Sequence, residues 1–231
     1  MIVSVHTNEP WGSTGKILTL GWKGHYIPGQ WVGLRVSPNQ EYRMYSIANP
    51  PGKEHIAILY TRVDQGVLTP ILWELESGHT LELNNPQGAF VPQKGKNLWI
   101  AAGTGIAPFL SMTDLIMADW FGPPGSVTLL ESNKQMADVF GLSQLSQLHQ
   151  VGKLHYYPFI TRNGLEDQDS SQYSLIQKGR LTLWLCNQSS EYLRSFDRIM
   201  ICGSTQMILD VRDILLEKEV DFHTIVSEVY F

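Results

Sequence analysis

The hydrophobic pattern divides the chain into two halves that differ in period. Up to about Pro92, short apolar runs alternate with turns rich in Gly, Pro and Asn. One helical segment interrupts them at 69–76, where Leu68, Leu72 and Leu75 are spaced by four and three. Five of the runs predict β-strands, at 16–20, 31–36, 42–47, 55–62 and 80–83. Short strands at this spacing predict an antiparallel β-barrel or sandwich.

After the polar segment 93–97, strands and helices alternate. Apolar residues recur every third or fourth position across 109–120, and a second helix is predicted at 207–218. Four apolar runs predict strands, at 98–102, 127–130, 153–157 and 198–202. This alternation predicts a doubly wound parallel sheet of the α/β class. We therefore expect two domains, at 1–94 and 95–231.

Composition narrows the function further. The 231 residues are 43% hydrophobic and 17% charged, which is enough apolar material for packed cores. The formal net charge is −5 and no basic run occurs, so we expect no nucleic-acid partner. No apolar run approaches the ~18 residues of a spanning helix, and the first residues lack a signal-peptide pattern, so we expect a cytoplasmic protein with no membrane contact. The two cysteines, Cys186 and Cys202, cannot bind an iron–sulfur cluster within this chain, and we predict no metal site.

The first motif that carries chemistry is Arg43-Met-Tyr-Ser46, at the end of a predicted strand. An arginine can pair with a diphosphate, a tyrosine can pack against a ring, and a serine can donate to a ring nitrogen. Strand alternation places Arg43 and Tyr45 on one face and Met44 and Ser46 on the other. One ligand could contact both faces only where the strand ends or bulges, and an ordinary half-buried strand is the alternative.

The second motif is Gly66-Val-Leu-Thr69, a glycine turn before a helix. We expect Thr69 to cap the helix, and the free N–H groups of the first turn to form an anion site. A plain helix cap without a ligand is the alternative.

Two further turns follow strands of the second half. They are Gly103-Thr-Gly105, with Pro108 three residues on, and Cys202-Gly-Ser-Thr-Gln-Met207. Ligands of open α/β sheets lie at the carboxyl ends of such strands. Pro108 replaces the third glycine of the ordinary dinucleotide motif, but proline starts a helix well. With the motifs of the first half, these turns predict two phosphate-bearing ligands.

Taken in order, these motifs resemble the ferredoxin (flavodoxin)–NADP reductase family, nearest to its bacterial type. The resemblance rests on Arg-x-Tyr-Ser, Gly-x-x-Thr, Gly-Thr-Gly-x-Ala-Pro-Phe, Cys-Gly-Ser-x-x-Met and a C-terminal Glu-x-Tyr-aromatic, and it runs from Pro28 to Phe231. It implies an FAD-binding antiparallel β-barrel followed by an NADP-binding α/β domain. It also implies electron transfer between NADPH and a ferredoxin or flavodoxin through bound FAD.

The resemblance also assigns residues. Four groups would bind cofactors: for FAD, Arg43, Met44, Tyr45 and Ser46; for its adenosine side, Leu59, Tyr60 and Thr61; for its diphosphate, Gly66, Val67, Leu68 and Thr69; for NADP(H), Gly103, Thr104, Gly105, Gly203, Ser204 and Met207. Ser46, Cys202, Glu228 and Tyr230 would be catalytic. Ser46 would lie near the flavin N5 and Cys202 beside the nicotinamide C4. We expect Tyr230 on the isoalloxazine and Phe231 toward the adenine.

The choice between NADPH and NADH has opposing signals. Glu131 lies 26 residues beyond Gly105, near where an acidic residue would bind the ribose of NADH. Lys134, Arg162 and Arg180 correspond to cations that bind the 2′-phosphate in bacterial members of the family. Because three cations should outweigh one carboxylate, we predict NADPH.

Three other functions stay open: a reductase of free flavin, an electron-transfer subunit of a larger complex, and a flavin-binding sensor without turnover. A ferredoxin or flavodoxin partner would need a local positive patch, for example Lys53, Lys94 and Lys96. We expect the chain to be a monomer.

Overall fold

The computed structural model describes residues 1–162 and 175–230. The chain forms two compact units. The first contains Met1–Val91 together with Ala107–Thr113, and the second contains Pro92–Ile106 and Asp114–Phe231. Across the described residues, no helix combines the length and apolar character needed to cross a membrane.

The first unit is built on an antiparallel sheet of six strands. They are β1 (Ile2–Trp11), β2 (Gly15–Gly21), β3 (Trp31–Arg35), β4 (Arg43–Ser46), β5 (His55–Thr61) and β6 (Thr80–Leu83). Their order is β4-β3-β6-β1-β2-β5. A bridge between Ile47 and Ile58, with a 2.8 Å bond from Ala48 N to Ala57 O, joins the two outer strands. The sheet therefore closes into a barrel.

Alternation along these strands fills the barrel interior. Val3, Leu18, Val32, Ile47 and Ile58 are among its buried side chains. Helix α1 (Thr69–Trp73) packs on this core through Leu72, which has no exposed surface, with Leu68 and Leu75 beside it. The helix ends three residues before the predicted Glu76. Asn8 Nδ2 accounts for the early end, because it donates to the carbonyls of Leu72 (2.8 Å) and Leu75 (2.9 Å) that another turn would use.

The second unit is built on a parallel sheet of six strands. They are β7 (Asn97–Ala102), β8 (Val127–Asn133), β9 (Leu154–Ile160), β10 (Gln177–Lys178), β11 (Arg198–Ser204) and β12 (Ile225–Tyr230). Their order is β10-β9-β8-β7-β11-β12, and every pair is parallel. The chain winds outward from β7 in one direction through β10 and then in the other through β12. This confirms the predicted fold class of an antiparallel barrel followed by a doubly wound α/β sheet.

Six helices follow α1 in the described residues. They are α2 (Ala107–Leu110), α3 (Thr113–Met117), α4 (Leu142–Gln150), α5 (Leu181–Asn187), α6 (Ser190–Arg194) and α7 (Thr205–Glu217). Helices α5 and α7 cover one face of the sheet, where Leu185, Val211 and Leu215 pack against Ile199 and Leu130.

The single helix predicted across 109–120 is wrong, because it is broken into α2 and α3. Ser111 Oγ donates to Pro108 O at 2.6 Å, and Thr113 Oγ1 donates to Leu110 O at 2.8 Å. The two hydroxyl groups thereby occupy carbonyls that the next helical turn would use. The apolar spacing still marks burial, since Phe109, Met112 and Ile116 are all buried.

Gly29 offers a test of how tightly the first unit is packed. Its φ is +89°, and a Cβ there would lie 2.0 Å from Phe90 O. Its N–H also donates to Ser111 Oγ at 2.7 Å. Gly52 has nearly the same φ, +87°, but a Cβ there would meet nothing within 4 Å.

We predict that Gly29→Ala destabilises the protein more than Gly52→Ala. Both variants incur the cost of a left-handed alanine, about 1–2 kcal/mol. Gly29→Ala should lose about 1–3 kcal/mol more, because the backbone must move and a buried hydrogen bond is disturbed. Urea unfolding with FAD in excess measures the difference, and equal free energies of unfolding would contradict it.

Candidate cofactor-binding sites

The two glycine turns of the second unit lie at the switch point of the sheet, between β7 and β11, where the chain begins to add strands on the other side. Strands β7 and β11 are neighbours, with Ala101 opposite Cys202. Residues Gly103–Ile106 follow β7 as one 3₁₀ turn, and Gly203 and Ser204 end β11. The carboxyl ends of both strands therefore lie side by side, which is where open α/β sheets bind ligands.

The three glycines at this point differ in how closely their surroundings approach them. A Cβ at Gly105 would lie 2.2 Å from Cys202 O, so only glycine lets the turn pack onto β11. A Cβ at Gly203 would lie 2.5 Å from the end of the Met207 side chain and 3.1 Å from the Ala102 Cβ. Gly103 has φ +56° and nothing within 4 Å of its Cβ position. The turn is thus packed on one side and open on the other, as backbone that approaches a diphosphate must be.

Cys202 and Glu228 lie opposite each other on β11 and β12. Cys202 has no exposed surface, and burial together with the charge of Glu228 raises the pKa of its thiol well above the usual value. The thiol is therefore neutral near pH 7. Ser204 caps the thirteen-residue α7, accepting from Met207 N at 3.4 Å. Tyr230 pairs with Ser204 through its backbone. The predictions for the Tyr230 side chain and for Phe231 lie outside what the structure describes.

The three predicted phosphate-binding cations come to one edge of the sheet. Lys134 follows β8, Arg162 follows β9 by two residues, and Arg180 follows β10 and begins α5. Arg162 N donates to Lys134 O at 3.0 Å, and Gly179 N donates to Ile160 O at 2.9 Å. All three side chains are exposed, and none forms an ion pair with another described residue.

Glu131 is not available to a ribose, so the one signal in the sequence that pointed toward NADH does not correspond to a ribose contact. Its side chain has no exposed surface. Its Oε1 accepts from Asn133 Nδ2 at 2.7 Å and from Phe140 N at 3.3 Å, and its Oε2 accepts from the Tyr156 hydroxyl. Sequence reasoning missed this network, because Asn133, Phe140 and Tyr156 meet only when β8, β9 and the following loop come together.

In the first unit, the Arg43-Met-Tyr-Ser46 strand is divided between surface and interior. Arg43 and Met44 are exposed, whereas Tyr45 is 9% exposed and Ser46 is 2% exposed. Burial raises the pKa of Tyr45 to about 12, and the nearby charge of Arg43 opposes this shift. The change from surface to interior falls between Met44 and Tyr45, so the exposure of these side chains does not follow the alternation that the sequence predicted.

On β5, the residues predicted to line the adenosine side differ in exposure. Leu59 is 1% exposed and Tyr60 is 2% exposed, whereas Thr61 is open to solvent. The Tyr60 hydroxyl donates to Asn8 Oδ1 at 3.0 Å inside the barrel. Of the three side chains, only that of Thr61 is presented to a ligand.

The Gly66 turn has a different internal structure from the one predicted. Leu68, not Thr69, is the N-cap of α1, and no side chain caps the helix. The Thr69 hydroxyl instead accepts from Val63 N at 3.0 Å and donates to Val63 O at 3.3 Å. These two bonds close the loop into a compact turn in which Gly66 N donates to Val63 O at 2.8 Å and Val67 is exposed. The prediction of a Thr69 cap is wrong, because the Thr69 hydroxyl forms its hydrogen bonds with the backbone of Val63 and not with the first turn of α1.

Family models match both halves of the chain. A model of the oxidoreductase FAD-binding domain matches residues 18–91, and one of the oxidoreductase NAD-binding domain matches residues 99–213. The chain is therefore a two-domain FAD- and NAD-binding oxidoreductase. The ferredoxin–NADP reductase of Azotobacter vinelandii is 32% identical over 203 residues, which cover 80% of this chain and 75% of that protein. The chain belongs to the ferredoxin–NADP reductase family, and its two matched domains bind FAD and a nicotinamide dinucleotide.

Similar proteins also include electron transfer components of dioxygenases. The electron transfer component of 2-halobenzoate 1,2-dioxygenase from Burkholderia cepacia is 29% identical over 86% of this chain, and the chain spans 57% of that component. The structure of a ferredoxin NADP+ reductase from Neisseria gonorrhoeae with bound FAD and NADP has a TM-score of 0.85 at 20% identity. The matched region covers 100% of this chain and 98% of the Neisseria gonorrhoeae chain. That likeness shows a shared fold.

Glu131 makes stability depend on pH in a defined window. Burial raises its pKa from an ordinary 4.5 to about 7, although the bonds from Tyr156, Asn133 and Phe140 oppose the shift. The folded chain therefore holds an extra proton between these two pH values. The contribution of Glu131 to the free energy of unfolding is therefore largest below about pH 4.5, falls as pH rises through the window, and is lost above about pH 7.

We predict that Glu131→Gln removes this slope. A shift of this size corresponds to about 3 kcal/mol across the window. Urea unfolding at pH 5, 6, 7 and 8 should show the variant gaining stability relative to the unsubstituted protein as pH rises. Glu41→Gln, which removes an exposed carboxylate, is the control. Parallel curves for the Glu131 variant and the unsubstituted protein would refute the assignment.

Proposed function

We propose that this protein is an NADPH-dependent reductase of a small one-electron carrier, a ferredoxin or a flavodoxin. The observation that carries the proposal is the set of three exposed cations at the ends of β8, β9 and β10, on the same carboxyl edge as the two glycine turns. Bound FAD would accept a hydride from the nicotinamide and release electrons singly, which is the chemistry that joins a two-electron donor to a one-electron acceptor.

The second unit would bind the two phosphate-bearing parts of NADPH with different kinds of groups. Gly103, Thr104 and Gly105 would face the diphosphate, since that turn is open above Gly103. Gly203 and Ser204 lead from β11 into α7, and Met207 lies in the first turn of that helix, whose N–H groups favour negative charge. Lys134, Arg162 and Arg180 would bind the 2′-phosphate. Neutral hydrogen-bonding groups thus serve the diphosphate, and full positive charges serve the group that distinguishes NADPH from NADH.

A second candidate function is the reductase component of an oxygenase. The relatives that carry electrons to dioxygenases favour it, because they align over most of this chain. The two functions share cofactors and differ in the acceptor. This sequence has only two cysteines, so the iron–sulfur acceptor would have to be a separate protein or region.

One experiment separates these functions from a flavin reductase or a sensor. The purified protein is analysed for bound FAD and then given NADPH with cytochrome c and catalytic amounts of flavodoxin, ferredoxin or free flavin. The proposal expects one FAD per chain and a rate that depends on flavodoxin or ferredoxin. Dependence on free flavin alone would indicate a flavin reductase. Absence of turnover with every acceptor would overturn the proposal.

We propose that Ser46, Cys202, Glu228 and Tyr230 orient the reacting groups. The neutral thiol of Cys202 lies on β11 between Ala101 and Glu228, so its role would be positioning and not proton transfer. Cys202→Ala should slow flavin reduction by NADPH by up to about a hundredfold, while FAD stays bound. Stopped-flow reduction at the unsubstituted rate would exclude this role. Cys186→Ala, which changes an exposed cysteine, is the control.

We predict that Arg43→Ala weakens FAD retention. Arg43 is exposed, and a charge-assisted contact with the FAD diphosphate is worth about 1.5–3 kcal/mol, or about ten- to a hundredfold in affinity. Absorbance of FAD per chain after dilution and gel filtration measures the loss. Arg194→Ala, an exposed arginine paired with Glu219 in the second unit, should keep its FAD. Full retention by the Arg43 variant would refute the assignment.

We predict that Arg162→Ala and Arg180→Ala each lose NADPH selectivity. The ratio of kcat/KM for NADPH to that for NADH should fall by the equivalent of about 1.5–3 kcal/mol in each variant. Arg194→Ala serves again as the control and should keep the ratio. Equal use of both nucleotides by the unsubstituted protein, or full selectivity in both variants, would contradict the prediction.

A further inference from the structure

The buried carboxyl of Glu131 joins both ends of the loop that begins with Lys134. At one end, Asn133 Nδ2 donates to Glu131 Oε1 at 2.7 Å. At the other, Phe140 N donates to the same oxygen at 3.3 Å. Between these two points lie Lys134 and the 3₁₀ turn Met136–Asp138. Glu131 Oε1 therefore binds the loop both at Asn133, where it leaves β8, and at Phe140, after the 3₁₀ turn.

Asn133 depends on this carboxyl for its side-chain position. Its Oδ1 is buried without a hydrogen-bond partner among the described residues, and the residue is 5% exposed. The bond from its Nδ2 to Glu131 is thus the side-chain hydrogen bond that orients the amide.

The backbone of the same segment is tied to Arg162. Asn133 O accepts from Thr161 N at 3.0 Å and from Thr161 Oγ1 at 3.3 Å. Lys134 O accepts from Arg162 N at 3.0 Å. These backbone bonds place Lys134 next to Arg162 at the edge of the sheet, and the Asn133 side chain held by Glu131 belongs to the residue directly before Lys134.

We propose that Glu131 is a positioning residue for NADPH selectivity: through Asn133, Phe140 and Tyr156 it holds Lys134 beside Arg162 so that both cations can engage one 2′-phosphate. This inference rests on the proposed function and adds a buried residue to it. All three neighbours donate to the carboxyl, so the site is built for an acceptor at this position. Among the described residues, no charged side chain contributes to the pKa shift of Glu131. Hydrogen bonds, and not an ion pair, therefore hold the Glu131 carboxyl in place.

Two substitutions of Glu131 distinguish a role in positioning Lys134 from a role in packing alone. Glu131→Ala removes the acceptor, and KM for NADPH should rise about tenfold with little change in kcat, since the lost contact is made equally before and during reaction. Glu131→Gln keeps an acceptor for Asn133 and Phe140, and its amide can donate to the Tyr156 oxygen. It should keep the NADPH/NADH ratio of kcat/KM within about threefold of the unsubstituted value.

A double-mutant cycle with Lys134→Ala shows whether the effect passes through that lysine. If Glu131 acts by placing Lys134, the double variant should have nearly the same NADPH/NADH ratio as Lys134→Ala alone. Additive losses would overturn the proposal. Bound FAD per chain monitors folding in every variant. Should Glu131→Ala not fold, Tyr156→Phe removes one of the three bonds and enters the same cycle with a smaller expected loss, about threefold.

The outcomes also separate this inference from the function on which it rests. If the unsubstituted protein uses NADPH and NADH equally, the proposed selectivity fails and this inference fails with it. If the unsubstituted protein prefers NADPH and Lys134→Ala loses that preference, but Glu131→Ala and Tyr156→Phe keep it, only the positioning role of Glu131 is refuted.

Discussion

The second unit depends on one close contact, that between the turn after β7 and the backbone of β11. Because Gly105 has no side chain, its Cα can approach the carbonyl of Cys202 to a distance that leaves no room for a Cβ, which would lie 2.2 Å away. The contact joins two strands whose paired residues, such as Ala101 and Cys202, lie far apart in sequence. It also sets the height of the turn above the sheet and leaves the other side of Gly103 open. The surface that we assign to the cofactor diphosphate is thus a product of glycine packing.

The charge distribution at this edge follows a similar logic. The whole chain carries a net charge of −5, yet three cations stand exposed at the ends of β8, β9 and β10. Glu131 would weaken that local charge if it were at the surface. Its burial among three hydrogen-bond donors removes it from contact with solvent and with ligand. An acidic residue and a basic site can therefore occupy neighbouring positions in sequence without cancelling each other.

The two-part architecture could be predicted because the apolar period changes once, near residue 92, and because each glycine turn follows a strand. Features that depend on contacts distant in sequence could not. Strand β1 was missed, since only Val3 and Val5 of its ten residues are buried and the apolar pattern covers half of its length. The break between α2 and α3 depends on where the Ser111 and Thr113 hydroxyls point. The surroundings of Glu131 depend on Tyr156, which reaches it only through the pairing of β8 with β9.

Closure of the barrel has a consequence for how the first unit fluctuates. Every other neighbouring pair of strands is joined by two or more paired positions, whereas β4 and β5 meet at the Ile47–Ile58 bridge and the adjacent bond from Ala48 to Ala57. Local opening of the ring therefore costs least at this joint, and its amide protons should exchange with solvent before those of the longer ladders. Two of the three groups of proposed FAD contacts, 43–46 and 59–61, lie on these same two strands. A cofactor bound to both would favour the closed ring over the open one, so that cofactor affinity and the integrity of the barrel would be measures of one equilibrium.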